Sequence, residues 1–284
     1  MVQVIGEGKI DLSFMVSLEC NLECPHCQYS ARPNYPGDDL DITRLKDFMK
    51  GAIPAWDNFN SFGFYGGEPS LDLDKWGMYI LLIDDIQKYE VYGTRRYKNN
   101  RKPMWMITNG TWSTSDTEFH RIVDFAFKHD LQVFISTTPY HQEHQDVRKL
   151  KVLVRNSKHF RFKKDDTKSR LLPMGRNYDD DWSCTRRCER IEETERLAIK
   201  PNGDVIYQKC DGIYPVVANI SPNTVTWYSV KYMLAHQLDN NCPVLHPITQ
   251  RDIGDPSWRN KLEARFNPEE ALPLEERRFR SLSA

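Results

Sequence analysis

The sequence predicts an α/β fold built on a parallel sheet, and three observations predict it. Short apolar runs alternate with stretches of helical period from residue 9 to about residue 172, and such alternation produces parallel strands covered by helices. Cysteine- and glycine-bearing loops follow directly after the apolar runs, where sheets of this kind gather their active sites. The chain of 284 residues is long enough to bury a sizeable core, yet no run approaches the ~18 apolar residues that would span a bilayer.

The elements can be read in order. Lys9 to Ser17 is a buried strand that delivers the first cysteine loop. A helix follows from Asp41 to Ala52, with Ile42, Leu45, Phe48 and Met49 at helical spacing and Asp41 as its N-cap. Ser61 to Tyr65 is the second strand and Leu73 to Tyr89 a long helix. Met104 to Ile107 is the third strand, and a helix from Ser115 to His129 is capped by Ser113 or Ser115. Leu131 to Thr137 is the fourth strand, followed by a helix from about Gln142 to Val154. Phe160 to Lys163 and Ser169 to Leu172 are expected as the fifth and sixth strands.

Composition narrows the chemistry. Apolar residues make up 39% and charged residues 28%, with a net charge of −1, as in an ordinary water-soluble protein. The first residues lack the basic and then apolar segments of a secretory signal, so a cytoplasmic location without membrane attachment is expected. Seven cysteines, an odd number with three crowded together, favour metal ligation over a disulfide framework. Charge is uneven along the chain. Eleven Lys or Arg fall between Asp146 and Arg176 against three Asp, and a second basic cluster holds Arg95, Arg96, Lys98, Arg101 and Lys102. This is either a solvated surface or an electropositive rim for phosphates. His159, Phe160 and Phe162 interleave with the first cluster as base-stacking groups would, or as the inward side of a strand.

The chemistry centres on Cys20-Asn-Leu-Glu-Cys24-Pro-His-Cys27. Three thiolates are one short of a closed tetrahedral site. They would leave one iron of a [4Fe–4S] cube open to a ligand, or form part of a zinc knuckle. About forty residues later, at the end of the next strand, stands Gly66-Gly67-Glu68-Pro69. Its glycines allow close approach of a ligand, and its carboxylate can accept a hydrogen bond from an ammonium group.

These two motifs, in this order, resemble the signatures of the radical S-adenosylmethionine (radical SAM) enzymes. The resemblance implies a partial (β/α)6 barrel over residues 1–176. It also implies a catalytic [4Fe–4S] cluster on Cys20, Cys24 and Cys27, and SAM bound through its amino group at Gly66, Gly67 and Glu68. In that family the open iron chelates SAM, and an electron from the cluster, supplied by a flavodoxin- or ferredoxin-type donor, yields a 5′-deoxyadenosyl radical. Thr108-Asn109-Gly110 and Ile135-Ser136-Thr137-Thr138 match weaker family features, which makes Asn109 and Ser136 further SAM contacts. Thr138 stands where an aspartate is common. His144 and Arg148 resemble the family's paired His and Arg, with Arg148 a candidate SAM contact.

Pro173-Met174-Gly175-Arg176, then Cys184, Cys188, Cys210 and Cys242, resemble the SPASM/Twitch extensions of the same family. The resemblance implies a small α+β module over residues 177–244, a β-hairpin plus helix. Its hairpin would be Leu197 to Tyr207, turning at Pro201-Asn202-Gly203-Asp204. Its four cysteines would hold a second, auxiliary [4Fe–4S] cluster or a Zn²⁺ ion. Spacing limits the match, because six residues separate Gly203 from Cys210 where the family usually has four. Residues 245–284 form a tail in which Trp258, Leu262 and Phe266 could dock one helix. The leading substrate is a nucleotide or nucleic-acid base, for example an amino-acid-decorated pyrimidine of phage-type DNA. The alternatives are a peptide, a small polar metabolite, and a purely binding role.

Overall fold

The computed structural model describes residues 10–163 other than 26 and 28, together with 195–208 and 216–220. Five strands lie side by side in sequence order, each pairing parallel with the next: β1 (Ile10–Met15), β2 (Phe59–Tyr65), β3 (Met104–Thr108), β4 (Gln132–Ile135) and β5 (Phe160–Phe162). Right-handed crossovers that keep stepping in one direction place every connecting helix on one face of the sheet. The helices α1 (Ile42–Gly51), α2 (Leu73–Asp85), α4 (Asp116–Lys128) and α6 (Val147–Asn156) accordingly share one core. Leu45, Phe48, Trp76, Ile80, Ile122 and Leu150 meet Leu12, Phe14, Phe62, Phe64, Met106 and Val133 there. A one-sided order of this kind belongs to an open partial barrel, as expected, and differs from a doubly wound sheet with helices on both faces.

Alternation along the strands sends a second set of side chains the other way. Met15, Tyr65, Trp105 and Ile107 form a small separate cluster with Ala198 and Ile206. The latter two come from the late hairpin. β6 (Glu195–Ile199) pairs parallel with the free edge of β1, setting Leu197 beside Leu12. β7 (Asp204–Tyr207) returns antiparallel, and β8 (Val216–Asn219) pairs antiparallel with β7. The hairpin expected from Pro201-Asn202-Gly203-Asp204 is therefore present, with its first strand hydrogen-bonded into the main sheet. Gly203 takes φ +86° at the turn, a left-handed conformation that glycine adopts without steric cost. Among the described residues the sheet runs β5-β4-β3-β2-β1-β6-β7-β8 and does not close on itself.

Helix ends follow the expected chemistry in places and depart from it in others. Asp41 caps α1 by accepting from the amides of Thr43 and Arg44, and Ser115 caps α4 by accepting from Glu118. The long helix expected to reach Tyr89 instead ends at Asp85. A π turn over Ile86–Val91 follows, then α3 (Gly93–Asn100). The wider π turn lets the consecutive residues Ile86 and Gln87 both be buried. Gln87 accepts from the Lys102 amide at 2.7 Å. The helix expected from Gln142 is split into α5 (Pro139–Gln142) and α6. The Ser169 to Leu172 strand and the Trp258 to Phe266 helix lie outside the described residues. Among the described residues no helix is long and apolar enough to cross a membrane.

Arg101, one of the residues expected in a basic rim, is a structural cation instead. Its guanidinium pairs with Asp84 at 2.8 Å and Asp130 at 3.1 Å and donates to the His129 carbonyl at 3.0 Å. It thus ties the end of α3 to α2 and to the turn before β4. Replacing Arg101 with Met leaves a half-buried Asp84 without its partner and should cost about 2 kcal/mol, between exposed and fully buried ion pairs. Urea denaturation checks this as a lower midpoint at unchanged slope. A loss below about 0.5 kcal/mol would mark the pair as an ordinary surface contact.

Candidate active site

The site forms where the carboxyl ends of β1, β2 and β3 meet. Beyond β1 the chain passes through Ser17 and Glu19 to Cys20, and the loop after β2 packs directly on it. The Gly67 amide donates to the Ser17 carbonyl at 2.7 Å, and the Glu68 amide donates to the Glu19 carbonyl at 2.9 Å. A Cβ on Gly67 would lie 1.7 Å from the Glu19 carbonyl oxygen. One on Gly66, which has φ +147°, would lie 2.3 Å from the Ser17 oxygen. The paired glycines are thus required first by the contact of two backbones, and that contact brings the Gly-Gly turn beside the cysteine loop.

Glu68 is 2% exposed and turned into the protein. Its Oε1 accepts from the Thr108 hydroxyl at 2.6 Å and the Ser70 amide at 3.0 Å, and its Oε2 accepts from the Asn109 amide at 2.7 Å. Burial pushes its carboxyl above the usual glutamate range, against the pull of the Asn109, Thr108 and Ser70 donors. The carboxylate therefore bolts the end of β2 to the end of β3. An ammonium group arriving at this loop would meet the half-exposed backbone of Gly66 and Gly67 before the carboxylate.

Cys20 and Cys24 are buried and Cys27 is half-buried, in a pocket walled by Leu18, Leu22, Ala31, Tyr29, Tyr35 and Tyr140. Each sulfur lies within hydrogen-bonding reach of a nitrogen from a different part of the chain. The Ala31 amide donates to Cys27 Sγ at 3.3 Å, Asn109 Nδ2 reaches Cys20 Sγ at 3.8 Å, and His141 Nε2 lies 3.4 Å from Cys24 Sγ. Burial, with Glu68 and Cys27 adding repulsion, pushes the Cys20 thiol up to about 11, so loading a metal centre there must release its proton. Cys20, Cys24 and Cys27 do not converge as three ligands of a single ion would. A cube meets each thiolate through a different iron and does not need them to. A soft, three-thiolate donor set in an apolar shell, with a nitrogen hydrogen-bonding partner at every sulfur, fits an iron–sulfur cube.

Other expected site residues are spread more widely. Asn109 lies inside the site, where its Nδ2 also donates to Asn21 Oδ1 at 2.8 Å and its Oδ1 accepts from the Thr111 amide at 3.1 Å. Ser136 follows β4 at the same end of the sheet, and its carbonyl accepts from Gln145 Nε2 at 2.7 Å. Arg148 and His144 are exposed, Arg148 on α6 and His144 in the turn before it. Two of the three aromatic groups read as base platforms are packed inside instead. His159 is buried with Nδ1 on the Leu131 carbonyl, and Phe160 packs against Trp112 in the core. His141 is the site residue that sequence reasoning missed, and Thr138, noted only as standing where an aspartate is common, is its partner. The signal was present, since Thr138-Pro139 is an N-cap followed by proline at the first helical position. It starts a turn at 138 and so swings His141 back toward the cysteines. Cys184, Cys188, Cys210 and Cys242 lie outside the described residues.

No protein-family model and no curated protein matches the sequence. Solved structures do match by fold. The radical SAM enzyme BtrN, solved with AdoMet and 2-DOIA, aligns over 81% of this chain and 87% of its own, at 13% identity and a TM-score of 0.51. The enzyme anSMEcpe, solved with AdoMet and the Cp18Cys peptide, aligns over 88% of this chain and 87% of its own, at 14% identity and a TM-score of 0.43. SuiB of Streptococcus suis, solved with S-adenosylmethionine, aligns over 70% of this chain and 60% of its own, at 14% identity and a TM-score of 0.31. The fold is thus one that a radical SAM enzyme uses.

The raised Glu68 carboxyl has a signed consequence. Between the ordinary glutamate range and its raised folded value, the folded state holds more protons than the unfolded one, so its contribution to stability falls as pH rises through that window. The Glu68→Gln chain should lack this component. The difference in urea stability between the two proteins should therefore shift in favour of the variant as pH rises from about 4 towards 7. A difference that stays constant with pH would mean that Glu68 titrates normally.

Proposed function

We propose that this chain is a radical SAM enzyme acting on a nucleotide or nucleic-acid base. The observation that carries the reading is the set of three thiols on one loop, each with a nitrogen partner, beside a Gly-Gly-Glu turn. Cys20, Cys24 and Cys27 would hold the [4Fe–4S] cluster, and the backbone of Gly66 and Gly67 would receive the amino group of SAM. When bound and reduced by a one-electron donor of flavodoxin or ferredoxin type, the pair supplies a 5′-deoxyadenosyl radical that takes hydrogen from a substrate C–H bond. The residues around it have simpler tasks. Glu68 keeps the loops after β2 and β3 in register, Asn109 orients toward Cys20, and the apolar wall of Leu18, Leu22 and Tyr35 limits water near the sulfurs.

Support for the substrate class comes from the face of the sheet opposite the helices. Trp105 on β3 and Phe134 on β4 lie edge to face with ring centroids 6.1 Å apart. Arg161 on β5 stands in register with Phe134 and is exposed, with Lys163 just beyond the strand. Half-exposed aromatic rings beside a guanidinium suit a planar base that carries phosphate.

Two measurements test the reading. Anaerobically reconstituted Cys24→Ala protein should lose SAM cleavage altogether, followed as 5′-deoxyadenosine formed under dithionite, while the wild type accumulates it. Full cleavage by the variant would refute the cluster assignment. For the substrate, Arg161→Gln combined with Lys163→Gln should weaken oligonucleotide or nucleotide binding and lower its salt dependence by up to about two phosphate contacts. Unchanged binding and salt slope would remove the nucleotide.

A further inference from the structure

We infer that His141, oriented by Thr138, donates its Nε2–H to the Cys24 thiolate and thereby raises the reduction potential of the cluster held by Cys20, Cys24 and Cys27. The inference rests on the radical SAM reading above and adds a positioning pair to it.

The geometry accommodates the tautomer that serves the sulfur. Thr138 Oγ1 caps α5 by accepting from the His141 amide at 3.3 Å, and it also lies 2.9 Å from His141 Nδ1. The hydroxyl that accepts from the amide still carries its own proton, and we assign that proton to the bond with Nδ1. With Nδ1 accepting, the ring proton resides on Nε2, which faces Cys24 Sγ at 3.4 Å. All three residues are 8% exposed, so the contact operates where water screens little. Tyr140 contacts the His141 ring edge to face and packs against the cysteine pocket, which fixes α5 on the loop.

The direction of the effect follows from charge. Reducing the cluster by one electron spreads negative charge onto its thiolates, and a hydrogen bond to sulfur stabilises the more negative state more. Among the described residues, the Leu22 and Ala31 donors belong to the main chain and Asn109 is the more distant side chain at 3.8 Å. Among the described residues, His141 is thus the side chain placed to adjust the potential at Cys24.

The experiment is a potentiometric titration of reconstituted protein, followed by the EPR signal of the reduced cluster, with iron content measured in parallel. In His141→Leu the reduced-to-oxidised ratio at a fixed potential should fall about tenfold, which for a one-electron couple is about 59 mV. Thr138→Val should move it in the same direction by less, because the ring keeps its place but loses the group that fixes its proton. His141→Gln, which retains a side-chain N–H, should recover part of the shift. An exchangeable proton coupled to the reduced cluster should be visible by ENDOR in the wild type and absent in His141→Leu. Wild-type potentials in both His141→Leu and Thr138→Val, at wild-type iron content, would overturn the inference. If His141→Leu takes up no iron, Thr138→Val decides by the same criterion. A wild-type chain that takes up no four-iron cluster would instead overturn the radical SAM reading, and this inference with it.

Discussion

The arrangement depends on one buried carboxylate and the two glycines before it. Gly66 and Gly67 let the turn after β2 touch the backbone after β1, and Glu68 then locks that turn to Thr108 and Asn109 at the end of β3. Three loops that would otherwise diverge from three strand ends become one platform. The cysteine loop is built on it, and Asn109 owes its reach toward Cys20 to it. A side chain at Gly67 would meet the Glu19 carbonyl long before it met any ligand. The motif's composition is therefore explained by the protein's own packing.

That platform concentrates negative charge in a place with little water. Glu68 is buried a short way from Cys20, and its charge adds to the cost of ionising that thiol. Among the described residues, the sulfurs are met by nitrogen partners, Leu22 and Asn109 at Cys20, His141 at Cys24 and Ala31 at Cys27. Neutral dipoles of this kind ease the burial of negative charge on sulfur without adding a fixed cation.

Much of this was legible in the sequence. Strand and helix alternation foretold the parallel order because β1 to β5 are short, apolar and separated by capped helices such as those begun by Asp41 and Ser115. The cysteine and Gly-Gly-Glu motifs could be placed because each follows a strand. Three things were not legible. The π turn at Ile86 depends on burying two consecutive residues. The pairing of β6 with β1 depends on contacts between residues far apart in the chain. The role of His141 depends on Thr138 starting a helix earlier than the apolar periodicity suggested. Charge runs left two readings open, and for Phe160 the inward side of a strand is the one found, while Arg101 is held by Asp84 and Asp130.

The pairing of β6 with β1 also bears on how the molecule is made. β1 is an inner strand of the sheet, but its second partner is Glu195–Ile199. At about 5–20 residues per second, a ribosome leaves that edge of β1 bare for roughly ten seconds or more. An unpaired edge is a template for another chain. Translation products that stop before residue 195 would carry the cysteine loop on a strand open to association with its own kind, whereas completing the chain caps that strand from within.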